Sequence, residues 1–256
     1  MFNVLAPAES TAPRANPARR SELLTTLFPS SAVACELRES ADFTLLLPEE
    51  AGSCGTFRPK RLADFAAGRL CARRALRSLG FADFPVQRNA DRTPRWPDGV
   101  VGSITHTVGF CGAVVDRSEN VASVGLDAET VAGVVPEVWA EVLTDGELLQ
   151  LAALSDAQRE RHAALAFSAK EAFYKCQFGL TASWLDFRDV TVEVRAETAH
   201  AGSFVVRSAS RAGEFVLGDL APEGRYRFEG ALVVTGLWLS HKARQHVLPQ
   251  GRLRVL

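Results

Sequence analysis

Two long helical patterns, each followed by a group of short strands, constrain this chain more than any other feature of it. Between Pro59 and Leu79 the apolar residues Leu62, Phe65, Leu70, Leu76 and Leu79 recur at mostly three- and four-residue spacing, and Gly80 stops the pattern. Short strands are expected near Val100–Thr105, Cys111–Val115 and Ala122–Asp127, separated by polar turn residues such as Arg117-Ser118-Glu119-Asn120. Helical spacing then returns from Pro136 to about Leu154 and from Ser155 to Phe178, with Asp156 in the cap and Gly179 as the stop. Strands are expected again at Val190–Val194, Ser203–Arg207, Glu214–Leu217, Tyr226–Phe228 and Ala231–Leu239. The repeated order predicts an α+β fold: two similar lobes in a pseudo-twofold arrangement, each a helix plus a short antiparallel sheet, with the active site at the lobe interface. The expected organisation is an N-terminal arm (1–30), an N-terminal lobe (31–130) and a C-terminal lobe (131–256). The arm is rich in Ala, Pro, Ser and Thr, and Leu23, Leu24 and Leu27 are its apolar anchor. A further strand is expected at Ala32–Leu37, and Leu47-Pro48-Glu49-Glu50 reads as a helix start.

Composition narrows the function classes. A 256-residue chain with 47% hydrophobic and 23% charged residues has ample core for a soluble globular protein. Its net charge of −1 excludes a generic nucleic-acid or membrane-surface binder, so any anion site must come from local clustering. Five cysteines without CxxC or His/Cys ligand spacing read as reduced, mostly buried thiols of a cytoplasmic protein. No secretory h-region or spanning apolar stretch is present in the sequence.

Local clustering is what the chain offers. In Gly125-Leu126-Asp127-Ala128-Glu129, strand alternation puts Asp127 and Glu129 on one face, roughly 7 Å apart, where they repel unless a cation lies between them. Hard carboxylate oxygens in small number suit Mg²⁺, with Mn²⁺ as the alternative, because Mg²⁺ completes its shell with water and phosphate oxygens. The other reading is a solvated strand end with two exposed acids. On the second helix, Phe167-Ser168-Ala169-Lys170-Glu171-Ala172-Phe173-Tyr174-Lys175 puts Lys170 with Tyr174 on one face and Glu171 with Lys175 on the next. Glu171 fits a third metal ligand or general base and Lys170 a phosphate contact; an ordinary amphipathic helix with a Glu–Lys pair is the plain alternative.

Seven cations (Arg58, Lys60, Arg61, Arg69, Arg73, Arg74, Arg77) face one acid, Asp64, along the first helix, and Arg88, Arg92 and Arg95 follow in the loop. Such a cluster marks either a bound polyanion or a solvated face, and the guanidinium fork suits phosphate. In Gly102-Ser103-Ile104-Thr105-His106 there is no G-x-S-x-G elbow for a hydrolase, so His106 with its small hydroxyl neighbours reads better as a phosphate contact.

Taken in order, Arg61-x-x-x-Phe65-x-x-x-Arg69, Pro94-x-Trp96-Pro97-x-Gly99, Gly102-Ser103-Ile104-Thr105-His106, Gly125-Leu126-Asp127-Ala128-Glu129, Phe167-Ser168-Ala169-Lys170-Glu171-Ala172-x-Tyr174-Lys175 and Trp184-Leu185-x-Phe187 resemble the 4′-phosphopantetheinyl transferases. The likeness is closest to the bacterial branch that serves siderophore synthetases and actinobacterial carrier proteins, and covers about residues 35 to 240. It implies coenzyme A in a cleft between two lobes, and a Mg²⁺-dependent transferase of the holo-acyl-carrier-protein synthase type acting on acyl or peptidyl carrier domains. It implies metal ligation by Asp127, Glu129 and Glu171, proton abstraction by Glu171 and diphosphate stabilisation by Lys170. It also implies coenzyme A contacts from Arg61, Arg69, Arg88, Ser103, Thr105 and His106 at the phosphoadenosine end, with Lys175 alongside. Phe167, Tyr174 and Trp184 would flank the pantetheine arm. A monomer is expected, since both lobes lie in one chain. The competing expectations are a non-catalytic coenzyme A or carrier-binding protein on the same scaffold, and another Mg²⁺-dependent nucleotide or pyrophosphate enzyme; the absence of GxxxxGK[ST] and GxGxxG weighs against the latter.

Overall fold

The computed structural model describes residues 22–38, 41–217 and 220–244. In chain order the elements are α1 (Glu22–Thr25), β1 (Val33–Leu37), α2 (Pro48–Ala51), α3 (Pro59–Ser78), β2 (Val100–Thr107), β3 (Phe110–Arg117), β4 (Ser123–Thr130), α4 (Trp139–Val142), α5 (Asp145–Ala152), α6 (Asp156–Thr181), β5 (Val190–Ala196), β6 (Ala201–Ser208), α7 (Arg211–Leu217), β7 (Glu223–Glu229), β8 (Leu232–Leu239) and α8 (His241–Arg244). They form an α+β fold of two lobes. One has a three-stranded sheet in the order β1-β3-β2, the other a five-stranded sheet in the order β4-β8-β7-β6-β5, and the pairings are antiparallel. Because β4 pairs with β8, the sheets divide between β3 and β4, ahead of the boundary at 130 that the sequence suggests. Among the described residues no helix is long and apolar enough to cross a membrane.

Each sheet is covered by its own long helix. In the first lobe, Ala67, Cys71, Ala75 and Leu76 of α3 pack on Cys35, Ala113 and Val115 of the sheet. Small residues on that helix face let it lie close to the strands, and Gly80 (φ 91°) turns the chain away after the helix ends. In the second lobe, Leu165, Ala169, Phe173 and Cys176 of α6 pack on Phe204, Val206, Val233 and Leu237. A buried Leu or Phe here contributes about 1.5–3 kcal/mol. Leu23, Leu24 and Leu27, the expected anchor of the arm, are buried with Phe28 against Val114, Val124, Leu126 and Val234, in the wedge between the two sheets; residues 1–21 of that arm lie outside the described residues. All five cysteines are free and buried.

Three expected elements differ. The region 136–154 is not one helix: Leu143 is extended (φ −99°, ψ 142°), and Thr144 caps a separate helix by accepting from Glu147 N–H at 3.3 Å while Glu147 accepts from Thr144 N–H at 2.7 Å. Helix α6 runs through Gly179 to Thr181 and is ended by Ala182 in the left-handed conformation (φ 50°). Residues 214–217, expected as a strand, belong to helix α7, which buries Val216 and Leu217 in the core.

Candidate active site at the lobe seam

Strand β4 is the edge of the five-stranded sheet, and β2 is the edge of the other. They meet without a backbone ladder. Alternation along β2 sends Ser103, Thr105 and Thr107 toward β4, and Gly102, Ile104 and His106 to the opposite face. The hydroxyls take over the ladder's role. Ser103 Oγ accepts from Leu126 N–H at 3.0 Å, and Thr105 Oγ1 accepts from Ala128 N–H at 3.1 Å. Thr105 Oγ1 also donates to Asp127 Oδ1 at 3.1 Å, and Thr107 Oγ1 donates to Glu129 Oε2 at 3.4 Å. The period-two Ser-x-Thr-x-Thr pattern of 103–107 is visible in the sequence, but its function as a seam between lobes is not. Ser103 and Thr105 were expected to line a ligand pocket; Thr105 is instead wholly engaged in the seam, while Ser103 reaches the cavity edge.

On its other flank β4 touches α6 so closely that a Cβ on Gly125 would lie 1.9 Å from the Ala172 carbonyl oxygen. Only glycine fits there, and this contact sets Asp127, two residues on, against the Glu171–Lys175 face of the helix. Ser123 Oγ donates to the Cys176 carbonyl at 2.6 Å, fixing the same crossing.

Asp127 is 3% exposed. Its Oδ1 accepts from Lys175 Nζ at 2.6 Å and from Thr105, whereas Oδ2 is the one buried side-chain oxygen or nitrogen among the described residues that has no hydrogen-bond partner. An orphaned carboxylate oxygen in a native interior calls for an explanation. Its neighbours point the same way. Burial, then the Asp127 charge, pushes the Glu129 carboxyl up to about 7. Burial also raises Glu171, with Lys175 opposing and Asp127 adding to the rise. Lys175 is pulled down by burial but held above its ordinary value by Asp127 and Glu171. Three carboxyl groups therefore share one ammonium, an arrangement that a divalent cation would relieve. As the side chains stand, no three carboxyl, imidazole or thiol groups among the described residues converge as a ready-made metal cage.

Beside this cluster opens a cavity of about 1000 Å³, lined from both lobes. Arg61, Arg69, Arg88 and His106 line it from the first lobe, and Tyr174, Lys175 and Trp184 from the second. Arg92 and Arg95 line it as well. Its arginines are backed by rings: Arg61 lies 5.0 Å and Arg88 5.8 Å from the Phe57 ring, and Arg69 lies 4.1 Å from the Phe65 ring. Arg69 is 6% exposed; burial lowers it to about 10, with the Glu50 carboxylate opposing, and its Nε donates to the Val86 carbonyl at 2.7 Å. The His106 imidazole is held below its ordinary value by burial, with Asp64, 3.9 Å away, opposing. Trp96 shapes the floor, since its ring fills the space a Cβ on Gly102 would need, at 2.6 Å. Tyr174 stacks on Phe178 and meets Trp184 edge-on, and beyond that pair a second pocket of about 170 Å³ is lined by Glu171, Phe173, Leu185 and Phe187.

Two expected site residues are not brought to the seam. Lys170 is 2% exposed, and its ammonium donates to Val142 O at 2.9 Å, Glu147 Oε2 at 2.7 Å and Phe187 O at 2.9 Å. With three protons and three protein acceptors, nothing is left for a phosphate. Burial pulls this ammonium below its ordinary value, with Glu147 opposing. Phe167, half-buried against the core of the second lobe, stacks on Phe187 (centroids 5.2 Å apart) and lines neither pocket. Glu147, absent from the sequence reading, is the centre of a buried node that joins α5, α6 and β5, since it also accepts from Val192 N–H at 2.8 Å.

Comparison with known proteins fits this architecture. Residues 51–116 match the 4′-phosphopantetheinyl transferase N-terminal domain, and residues 123–228 match the 4′-phosphopantetheinyl transferase superfamily. The gap between the two matched segments falls where the sheets divide. 4′-Phosphopantetheinyl transferase Svp of Streptomyces mobaraensis is 38% identical over 221 residues, 84% of this chain and 88% of the relative. 4′-Phosphopantetheinyl transferase PptT of Mycobacterium tuberculosis is 38% identical over 229 residues, 86% of this chain and 96% of the relative. Enterobactin synthase component D of Salmonella typhi is 36% identical over 117 residues, 45% of this chain and 48% of the relative. With both lobes matched in order, and near-full-length relatives at this identity, the chain belongs to the 4′-phosphopantetheinyl transferase family.

Proposed function

We propose that this enzyme transfers 4′-phosphopantetheine from coenzyme A to a serine of an acyl or peptidyl carrier domain, at the seam between β4 and α6. The observation that carries the reading is the buried Asp127 carboxylate, with one oxygen unpartnered, beside an arginine-lined cavity. Asp127 and Glu129 would hold a divalent cation, with Glu171 close to it. When bound, that cation supplies charge neutralisation for a diphosphate. The chain's own residues do the rest. Arg61, Arg69, Arg88 and His106 orient the phosphoadenosine end, and Arg92 is placed to assist in the same cavity. The pantetheine arm runs along Tyr174 and Trp184 toward the smaller pocket.

Glu171, its affinity for protons raised by burial, takes the proton from the carrier serine hydroxyl. The serine oxygen forms a new bond to the phosphorus that bears pantetheine, the bridging P–O bond breaks, and 3′,5′-ADP departs with that electron pair. The positive charge that the sequence pattern gives to Lys170 falls to Lys175, which lines the cavity and keeps a third N–H beyond Asp127 Oδ1 and Leu126 O. Both lobes contribute to one site, which supports a monomer. Five unpaired buried thiols support a cytoplasmic setting.

Two measurements test the assignment of groups. Arg69→Ala is expected to raise the KM for coenzyme A about tenfold and that for dephospho-coenzyme A about twofold or less, on the worth of a charge-assisted contact to the 3′-phosphate. Equal losses would place Arg69 away from that phosphate. The second uses stability. Glu129 holds its proton more tightly in the folded protein (about 7) than when unfolded (4.5), so without a cation its contribution is full below 4.5 and is lost as pH rises through about 7. Added Mg²⁺ should therefore raise the melting temperature more at about pH 8 than at about pH 5.5. Identical shifts at both pH values would remove Glu129 from the cation site.

A further inference from the structure

Glu50 is not one of the seam carboxylates and in the sequence reads only as an acid in the first turn of a helix. The fold gives it a different place. It is completely buried, on the four-residue helix α2. One carboxylate oxygen accepts from Val86 N–H at 3.0 Å; the other accepts from Leu47 N–H at 3.0 Å and from the Arg73 guanidinium. Val86 is itself fully buried, and its carbonyl accepts from Arg69 Nε at 2.7 Å. A single residue, Val86, is thus gripped through its N–H by Glu50 and through its C=O by Arg69. Two residues further on, the chain enters the loop that carries Arg88, Arg92 and Arg95 into the cavity, closed at its base by a bridge between Arg88 and Pro94 and by Arg95 N–H on the Gln87 carbonyl at 2.9 Å.

Charge runs the same way. Arg69 and Arg88 repel one another, and the Glu50 carboxylate is the largest opposing influence on the buried Arg69 guanidinium. Arg69 uses Nε on Val86, while its η nitrogens meet no protein acceptor among the described residues, so that end of its fork remains available to a ligand. Arg73, one turn further along α3, is not part of the cavity at all; it is held by Glu50 and by the Leu45 carbonyl at 2.5 Å.

We infer that Glu50 is a positioning residue for the phosphate socket: it fixes Val86, and through Val86 it sets the Arg69 fork and the base of the Arg88–Arg95 loop at the spacing a phosphate monoester requires. The inference rests on the reading that this cavity takes the phosphoadenosine end of coenzyme A. It touches no reacting atom, so its loss is felt in affinity for the 3′-phosphate rather than in the chemical step.

The test uses the full chain. Glu50→Gln keeps the shape but removes the charge and offers Arg73 an amide. The KM for coenzyme A is expected to rise about tenfold and that for dephospho-coenzyme A about twofold or less, with 3′,5′-ADP affinity measured by calorimetry falling about tenfold. Because an unpaired buried Arg73 also destabilises the lobe, a second variant, Glu50→Leu with Arg73→Met, removes the charge pair and the acceptor for Val86 N–H together and separates the two effects. It should recover most of the melting temperature without recovering 3′,5′-ADP affinity. Equal KM changes for the two substrates, or affinity recovered along with stability in the double variant, would overturn the inference. A wild-type protein that binds 3′,5′-ADP but leaves carriers unmodified would refute the transfer reading, while the Glu50 comparison of 3′,5′-ADP affinities would still decide the positioning role. Failure of the wild type to bind 3′,5′-ADP would overturn the socket and the inference together.

Discussion

Asp127→Asn is expected to lower kcat/KM for carrier modification by about a thousandfold, roughly 4 kcal/mol of transition-state stabilisation. The isosteric amide can keep the hydrogen bond from Thr105, and the Ala128 N–H contact with Thr105 is untouched, so the seam between the lobes holds. What it loses is the charge that balances Lys175 and the anionic oxygen that has no protein partner. The assay is the rate at which an apo-carrier gains the phosphopantetheine mass, followed across Mg²⁺ concentrations. A variant with full activity at every concentration would remove Asp127 from the cation site.

Glu171→Gln is expected to lose turnover by about 10²–10⁴-fold while the dissociation constant for coenzyme A changes by about threefold or less. Its carboxyl is raised by burial and by Asp127, which moves it toward the range where a base works at neutral pH. Lys175 is one helical turn away and opposes that rise. Rapid-mixing measurement of carrier modification, paired with calorimetry of coenzyme A binding, separates the chemical step from affinity. Normal turnover would remove the base assignment, and a matched loss of affinity would make Glu171 a binding group alone.

Helix period explains both what the sequence made legible and what it hid. The packing faces of α3 and α6 follow from apolar spacing, and Asp127 with Glu129 follows from strand alternation. On α6 the same geometry separates residues that lie next to one another in the sequence. Lys170 and Glu171 are about 100° apart around the helix, whereas Glu171 and Lys175 are about 40° apart. Of the two lysines it is Lys175 that pairs with Asp127 at the seam, whereas Lys170, though it borders the smaller pocket, is turned onto Glu147. Phe167 lies one turn before Glu171, on nearly the same face, but its ring is taken up by stacking on Phe187 and lines neither pocket; it is Phe187 that reaches the smaller one.

Other differences are tertiary in origin. The run around 214–217 is apolar and short, too short for period to separate helix from strand, and packing on β6 and the core decides for helix. The capping box at Thr144–Glu147 was present as a pattern, but the helical spacing on either side masked it. Glu50, Glu147 and the hydroxyls of 103–107 act on partners distant in sequence, at separations of 36, 45 and about 22 residues, and no local pattern announces such pairings.

The most direct measurement is the intact mass of an apo-carrier incubated with this enzyme and coenzyme A, once with Mg²⁺ and once with a chelator in excess. A gain of one phosphopantetheine on serine with Mg²⁺, and none in the chelator, is the predicted result. An equal gain in both, or no gain with Mg²⁺ for any carrier tested, would contradict a cation-assisted transfer at the Asp127 seam.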